Sequence, residues 1–476
     1  MADVVVRKLS DSAVARWIVL IIVATAMMMG YFVNDVMSPL ETMLEAPTSE
    51  GGMGWSAADY GFFSGAGGLI NVYLFMLFFS GIILDKCGVR FTGILATSLM
   101  VVGVLVKLYA LTVPMSTEPL QFDILSLRLA MPPSVALASL GFAVFGVGYE
   151  MTGITVSKSM VKWFAGHELA LAMGLQLAMA RLGTAAALSI SAPIARHFTL
   201  STPLWLSLVF LIVGVVSFLV FCVMDRKLDS QSSAKQQMAV EMQDTGLHQA
   251  ENAGDAKDRK SGESDEQFRW GDIIVTLRSP GFWLITLFCV LFYSAVSPFL
   301  KFATKLMVVK YGVDADVAGF FTSIAPFGTI LLTPLFGSVY DRRGHGVTFI
   351  IAGAAMLAFV HACFSLPIHS SIFAVALMMV LSVGYSLAPS ALWPCVPKII
   401  PLKCLGTAYS MIFFIQNFGR SIIPMIVGNT NESDPTYTTS MLVFTATAVG
   451  AVLVAVAMYF VDRRKGYGLQ RPNIVK

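Results

Sequence analysis

The stretch "GIILDKCGVR" (Gly81–Arg90) returns later in the chain as "GSVYDRRGHG" (Gly337–Gly346). Both copies read G-x-x-x-D-[KR]-x-G, and each follows a long apolar run. A motif repeated at equivalent places in two halves marks an internal duplication, a common plan in carriers that hold their site between the halves.

Working outward from this pair, the apolar runs dominate. The 476 residues are 56% hydrophobic and only 13% charged, with mean hydropathy +0.74. A soluble domain carries about 25% charged residues. This composition instead supplies many spans of about 20 residues each. The runs predict twelve membrane helices, six on either side of residues 225–270. The interval opens with "DRKLDSQSSAKQQMAVEMQDTGLHQAENAGDAKDRKSGESDEQF", which is too polar to form a core. The expected organisation is a six-helix bundle over 1–224, a largely disordered cytoplasmic linker over 225–270, and a second bundle with a short tail over 271–476. "FRWGDIIVTLRSPGFW", at the end of the linker, reads as an amphipathic helix on the membrane surface.

Orientation is set by the basic residues. With the N-terminus inside, 24 of the 32 lysines and arginines fall on cytoplasmic segments, and the first outer loop has none. Both ends are then cytoplasmic, which requires an even number of spans. The apolar run near the N-terminus is longer than a cleaved signal core and reads as the first span.

Several function classes find no support. None of the six cysteines falls in a predicted outer loop, so no disulfide is expected. No Cys/His cluster has metal-ligand spacing and no Gly-rich phosphate loop is present, so no metal or cofactor is expected. Nothing suggests nucleic-acid binding. No nucleophile–base pair stands out, so the chain does not read as an enzyme.

On the 6+6 frame, the doubled loop motif resembles the major facilitator superfamily over essentially the whole chain. The resemblance implies the fold of that family: an all-α membrane protein of two pseudo-symmetric six-helix bundles. It also implies that Asp85, Lys86 and Arg90, with Asp341 and Arg342, are gating and structural residues that tie cytoplasmic helix ends together. The plainer alternative is that they are loop charges obeying the positive-inside rule. A narrower resemblance rests on "WFAGHELALAMGLQLAMARLGTAAA" (Trp163–Ala187), "SALWPCVPKIIPLKCLGTAYSMIFFIQNFG" (Ser390–Gly419) and "INVYLFMLFFSGIILDKCGVR" (Ile70–Arg90). In order and spacing these elements are similar to a dipeptide-transporting branch of the superfamily, with lysosomal and bacterial members. That likeness implies facilitated diffusion, with Glu150 and Arg181 holding the two ends of the peptide and Trp393 and Asn417 matching pocket positions. In span one, "YFVNDVMSP" keeps Tyr31 and Asp35 but lacks the Asn-Pro of the relatives.

The residues themselves support a related reading. An arginine in mid-membrane costs about 2.5–3.5 kcal/mol on insertion scales, so Arg181 calls for a purpose. A dipeptide is a compact zwitterion whose charged ends lie roughly 5–7 Å apart. A guanidinium suits its carboxylate and a buried carboxylate suits its ammonium. Glu150 and Arg181 either flank a substrate or touch each other when the site is empty; the alternative is a permanent structural ion pair. Arg420 of span eleven echoes Arg181 of span five. Tyr31, Asn34 and Asp35 share one helix face, and Lys301 and Lys305 lie at a similar depth in span seven, so an Asp35–lysine contact forms an expected outer gate. The snorkelling alternative is two helix ends with solvated charges.

The favoured function is a monomeric transporter of dipeptides or similar small zwitterions, working by alternating access as a uniporter. Its partners are then a small-molecule substrate and the lipid bilayer. The alternative is a proton-coupled or exchange carrier of small organic anions, mono- or dicarboxylates, with Arg181 and Arg420 as two clamps and Glu150 a burden. "MADVVVRKLSDSAV" shows no dileucine after an acidic residue, which favours a bacterial inner membrane over a lysosomal one. Asn431-Glu432-Ser433 is a glycosylation sequon in the last outer loop.

Overall fold

The computed structural model describes residues 9–472 apart from 117, 125–126, 165–167, 248–276, 401–404 and 435. Among the described residues, eleven helices are long and apolar enough to cross a membrane. The N-terminal bundle comprises α1 (Ala13–Asp35), a short α2 (Glu41–Glu45), α3 (Ala57–Ala66), α4 (Leu69–Tyr73), α5 (Met76–Thr112), α6 (Pro133–Phe164), α7 (Leu169–His197) and α8 (Thr202–Leu247). The C-terminal bundle comprises α9 (Pro280–Val309), α10 (Ala315–Arg343), α11 (Gly346–Ser365), α12 (Ser371–Ile399), α13 (Leu405–Ser433) and α14 (Thr438–Lys465).

The span expected second in the chain is in pieces and is not among these eleven as a separate helix. Span two runs through α3, α4 and the start of α5, interrupted at Gly67–Gly68 and again at Phe75, whose φ is 55°. At 1.5 Å per residue the 37 residues of α5 would reach about 55 Å, far more than one crossing needs. Gly88, at φ 76° and ψ 171°, breaks α5 inside the first repeat motif and turns span two into span three. A residue with a Cβ tolerates that conformation poorly.

Capping fixes several helix starts. The Ser12 side chain accepts from the Ala15 amide at the start of α1, and Ser56 and Asp59 form a reciprocal capping box on α3. Ser279 caps α9 with Pro280 in its first turn.

The first half of the segment read as a largely disordered linker is helical, because α8 continues without a break to Leu247. The residues from Asp225 to Leu247 lack proline and are rich in Lys, Gln, Met and Ala; their polarity rules out a core but not a helix. The remainder of the linker and most of the amphipathic segment lie outside the described residues. The outer loop between spans three and four carries an antiparallel hairpin, β1 (Leu120–Ile124) with β2 (Leu127–Met131), paired from Leu120–Met131 to Ile124–Leu127. The sequon is not in an open loop: Asn431 sits in the last turn of α13, 7% exposed, and accepts a hydrogen bond from Ser440.

The apolar core is divided unevenly. One cluster runs from the outer half of the first bundle, through Val33, Leu40, Tyr60 and Phe63, into the second bundle at Phe299 and Phe302. A separate cluster, including Val19, Val23, Trp163 and Phe218, fills the cytoplasmic half of the first bundle alone. The bundles are therefore fused on their outer side. Glycine allows the closest approach there: a Cβ on Gly61 of α3 would lie 2.6 Å from the Gly428 Cα of α13. The same holds at the crossing of α10 and α7, where a Cβ on Gly319 would meet the Leu188 carbonyl oxygen at 2.0 Å.

Candidate functional site

Beneath this outer closure lies a cavity walled by both bundles. Tyr31, Asn34 and Asp35 of α1, Phe142, Tyr149 and Glu150 of α6, and Arg181 and Thr184 of α7 line one side. Pro298 and Lys301 of α9, Tyr385 of α12, and Asn417, Arg420 and Pro424 of α13 line the other. Pro298 and Pro424 each remove a helical N–H at the wall, which lets the helix bend around the opening.

The charged groups are paired across the bundles. Asp35 accepts from Lys301 at 2.7 Å, from Asn34 at 2.8 Å, and through its other oxygen from Thr184 at 2.7 Å. Lys301 also donates to the Asn34 carbonyl. Each partner is 12% exposed at its side chain, so the pair is nearly sealed. Lys305 reaches Glu41 at 3.3 Å and Glu45 as well. Further out, Arg196 of α7 meets Asp316 of α10 at 2.8 Å, and the Tyr60 hydroxyl donates to the Lys301 carbonyl at 3.0 Å. All of these contacts lie on the outer side of the cavity. On the cytoplasmic side, the rings of Phe75 and Phe414 stack at 5.2 Å.

Glu41 and Glu45 did not emerge from the sequence because they lie in the segment read as an outer loop. A 3-10 turn at Ser38–Leu40 folds α2 back under α3, and Glu41 is fully buried. Their i, i+4 spacing, matching that of Lys301 and Lys305, was the available signal.

Glu150 and Arg181 both line the cavity but do not pair with each other. Glu150 Oε1 instead accepts from Arg420 Nη1 at 2.7 Å. The last turns of α6 continue to Phe164, so Glu150 lies about 21 Å from the helix end, deeper than hydropathy alone suggests, and Arg181 about 18 Å from the start of α7. The two are at nearly one depth. Arg181 has no carboxylate partner among the described residues; its guanidinium lies over the Tyr385 ring, 4.7 Å from the centroid. The rings of Tyr31 and Tyr149 pack at 5.0 Å, and Arg420 lies 6.0 Å from the Tyr149 ring.

Two expected pocket residues differ in detail. Asn417 lines the cavity, with its amide donating back to the Phe413 carbonyl at 2.9 Å. Trp393 is not among the cavity-lining residues. Its indole donates to Tyr293 at 3.3 Å and packs against Tyr409 and Phe413, so it acts on the site only through those neighbours. Lys107, which the sequence did not single out, is wholly buried without a hydrogen-bond partner for its ammonium among the described residues, 4.9 Å from the Phe142 and Phe145 rings.

At the cytoplasmic face the two motif copies are built differently. In the first, Asp85 binds Lys158 of α6 at 2.5 Å, and Arg90 reaches Asp225 and Asp229 of α8 at 3.8 and 3.2 Å. Lys162 joins both aspartates at 2.7 Å, and Trp163 donates to Asp225. These contacts tie α5, α6 and α8 within one bundle. Lys86 is exposed and makes no bond among the described residues. In the second copy, Asp341 is engaged and Arg342 is exposed. The helix-end tie there is Lys398 of α12, which donates to the Tyr340 hydroxyl at 3.0 Å and the Arg471 carbonyl at 2.7 Å.

A family model described as Major Facilitator Superfamily matches residues 12–424. The chain belongs to the major facilitator superfamily. As a member, it is a multi-pass membrane transporter. It is 27% identical over 343 residues to the "Lysosomal dipeptide transporter MFSD1" of Homo sapiens, covering 70% of this chain and 67% of that one. The MFSD1 of Danio rerio matches at the same identity, with 70% and 68% covered. Among solved structures, a D-xylose-proton symporter superposes with TM-score 0.65 at 13% identity, over 93% of this chain and 97% of the other. The peptide transporter POT in complex with alafosfalin gives TM-score 0.64 at 15% identity, over 95% of each. At such low identity, these two superpositions establish the superfamily fold.

Proposed function

We propose that this transporter moves dipeptides or similar small zwitterions by alternating access, as a uniporter. The observation that carries the reading is the arrangement of Glu150 and Arg181: opposite charges at one depth, on one cavity wall, not bonded to each other. Arg181 receives the substrate carboxylate, for which its forked donors are suited. Glu150 receives the ammonium. Asp35 with Lys301, and Lys305 with Glu41 and Glu45, serve as the outer gate, and Asp85 and Arg90 hold the cytoplasmic helix ends. The named dipeptide transporters among the relatives support the substrate class. Those relatives are lysosomal by name; a bacterial inner membrane is the location proposed here.

The test is thermal unfolding of the purified protein with dipeptides, tripeptides, single amino acids and carboxylates, beside Arg181→Ala. Binding to the folded state raises the midpoint by mass action. Dipeptides are expected to raise it in the parent and not in the variant. Stabilisation by simple carboxylates alone would favour the organic-anion reading. Uniport is tested in liposomes: a pH gradient alone should not drive accumulation of labelled dipeptide.

A further inference from the structure

Five acidic and basic side chains line the cavity: Asp35, Glu150, Arg181, Lys301 and Arg420. Each carboxylate already has a cation, Asp35 with Lys301 and Glu150 with Arg420, both at 2.7 Å. Arg181 has no carboxylate partner among the described residues and lies over the Tyr385 ring. The side chains of the cavity therefore carry one surplus positive charge.

A neutral zwitterion does not remove that surplus. Its carboxylate satisfies Arg181, and its ammonium competes with Arg420, which holds Oε1, for Glu150. Where the ammonium takes both oxygens of Glu150, the Arg420 guanidinium, 23% exposed, loses its carboxylate. Uncompensated charge in such a place is costly. A substrate with net charge −1 meets all three groups: ammonium to Glu150, main-chain carboxylate to Arg181, side-chain carboxylate to Arg420. Because Glu150 and Arg420 are in contact, the ammonium and the extra carboxylate must arrive close together. Both must sit on the first residue of the peptide.

Resting on the dipeptide reading above, we propose that Arg420 is a specificity-determining residue that selects dipeptides with an acidic N-terminal residue. It holds Glu150 before substrate enters and moves onto the substrate's side-chain carboxylate when the ammonium arrives.

The test is binding of glutamyl-alanine, alanyl-glutamate, alanyl-alanine and lysyl-alanine to the purified full chain by calorimetry. Arg420→Gln and Arg420→Lys are measured in parallel. Glutamyl-alanine should bind about tenfold more tightly than alanyl-alanine, the scale of one added charge contact, and more tightly than alanyl-glutamate. Arg420→Gln should bring that ratio to about one, and Arg420→Lys, which keeps the charge, should retain most of it. Equal affinities in the parent would overturn the proposal while leaving the dipeptide reading standing. So would a ratio that survives Arg420→Gln. Binding of carboxylates but no dipeptide would overturn both.

Discussion

Arg420 of α13 and Glu150 of α6 are joined across the two bundles at 2.7 Å, although 270 positions separate them in the chain. The bond is made by the arginine that echoes Arg181 in the second repeat. It leaves Arg181 as the cavity cation without a carboxylate among the described residues, and so sets the charge balance of the site.

Glu150→Gln replaces the charged acceptor of this bond with a neutral amide oxygen and leaves Arg420 beside Arg181 and Lys301 without charge compensation. The pair is partly exposed, so the loss in folding stability should be about 1–2 kcal/mol, below the roughly 3–5 kcal/mol for breaking a fully buried pair. Thermal unfolding without substrate measures it. The same variant should lose dipeptide uptake; unchanged uptake of simple anions with no dipeptide uptake in the parent would favour the organic-anion carrier.

The side chains of Asp35 and Lys301 are each 12% exposed and join α1 to α9, the contact proposed above as part of the outer gate. Asp35→Asn should shift the population toward an outward-open state. A cysteine placed at Ser64 on the cavity wall, in a cysteine-free background, reports this by reaction with an impermeant maleimide added outside. Faster labelling in Asp35→Asn than in the parent is expected. Equal labelling would mean that the pair does not gate.

Gly61 tests the same closure through packing instead of charge. A methyl group there has backbone at 2.6 Å and no room, so Gly61→Ala should wedge α3 from α13 at a cost of roughly 1–3 kcal/mol to the closed state. The outer labelling rate should again rise. A matching change on a glycine with open space around it, Gly174→Ala, should leave that rate unaltered.

Asp434 lies in the outer turn between α13 and α14. Hydrogen bonds from the Thr436 hydroxyl, the Thr439 amide and the Thr439 hydroxyl hold its carboxyl below the usual carboxylate range. A depressed folded value contributes stability above the unfolded value of about 3.9, and that contribution is lost as pH falls through the lower folded value. Asp434→Ala should therefore lower the unfolding midpoint about equally at pH 7 and pH 5. A difference confined to pH 7 would contradict this assignment.

The duplicated motif, the apolar runs and the distribution of basic residues made the superfamily fold legible before any coordinates. The pairing of charges was not legible. Hydropathy gives the depth of Glu150, Arg181 and Arg420, but not which way each helix is rotated about its axis, and rotation decides who meets whom. Even the depth of Glu150 depended on where α6 stops, and its last polar turns carry no membrane signal. The outer ion pairs were half visible: Asp35 and Lys301 lie in recognisable spans, whereas Glu41 enters the core from a segment that composition assigns to solvent. The helical start of the linker shows the converse, since polarity excludes burial without excluding a helix.

The most direct test of the central claim is counterflow uptake of a labelled dipeptide into liposomes containing the parent, Arg181→Ala or Arg181→Lys. Arg181→Ala should abolish uptake, and Arg181→Lys, which keeps the charge without the fork, should retain a small part of it. Uptake by Arg181→Ala at the parental rate would contradict the claim that Arg181 receives the substrate carboxylate.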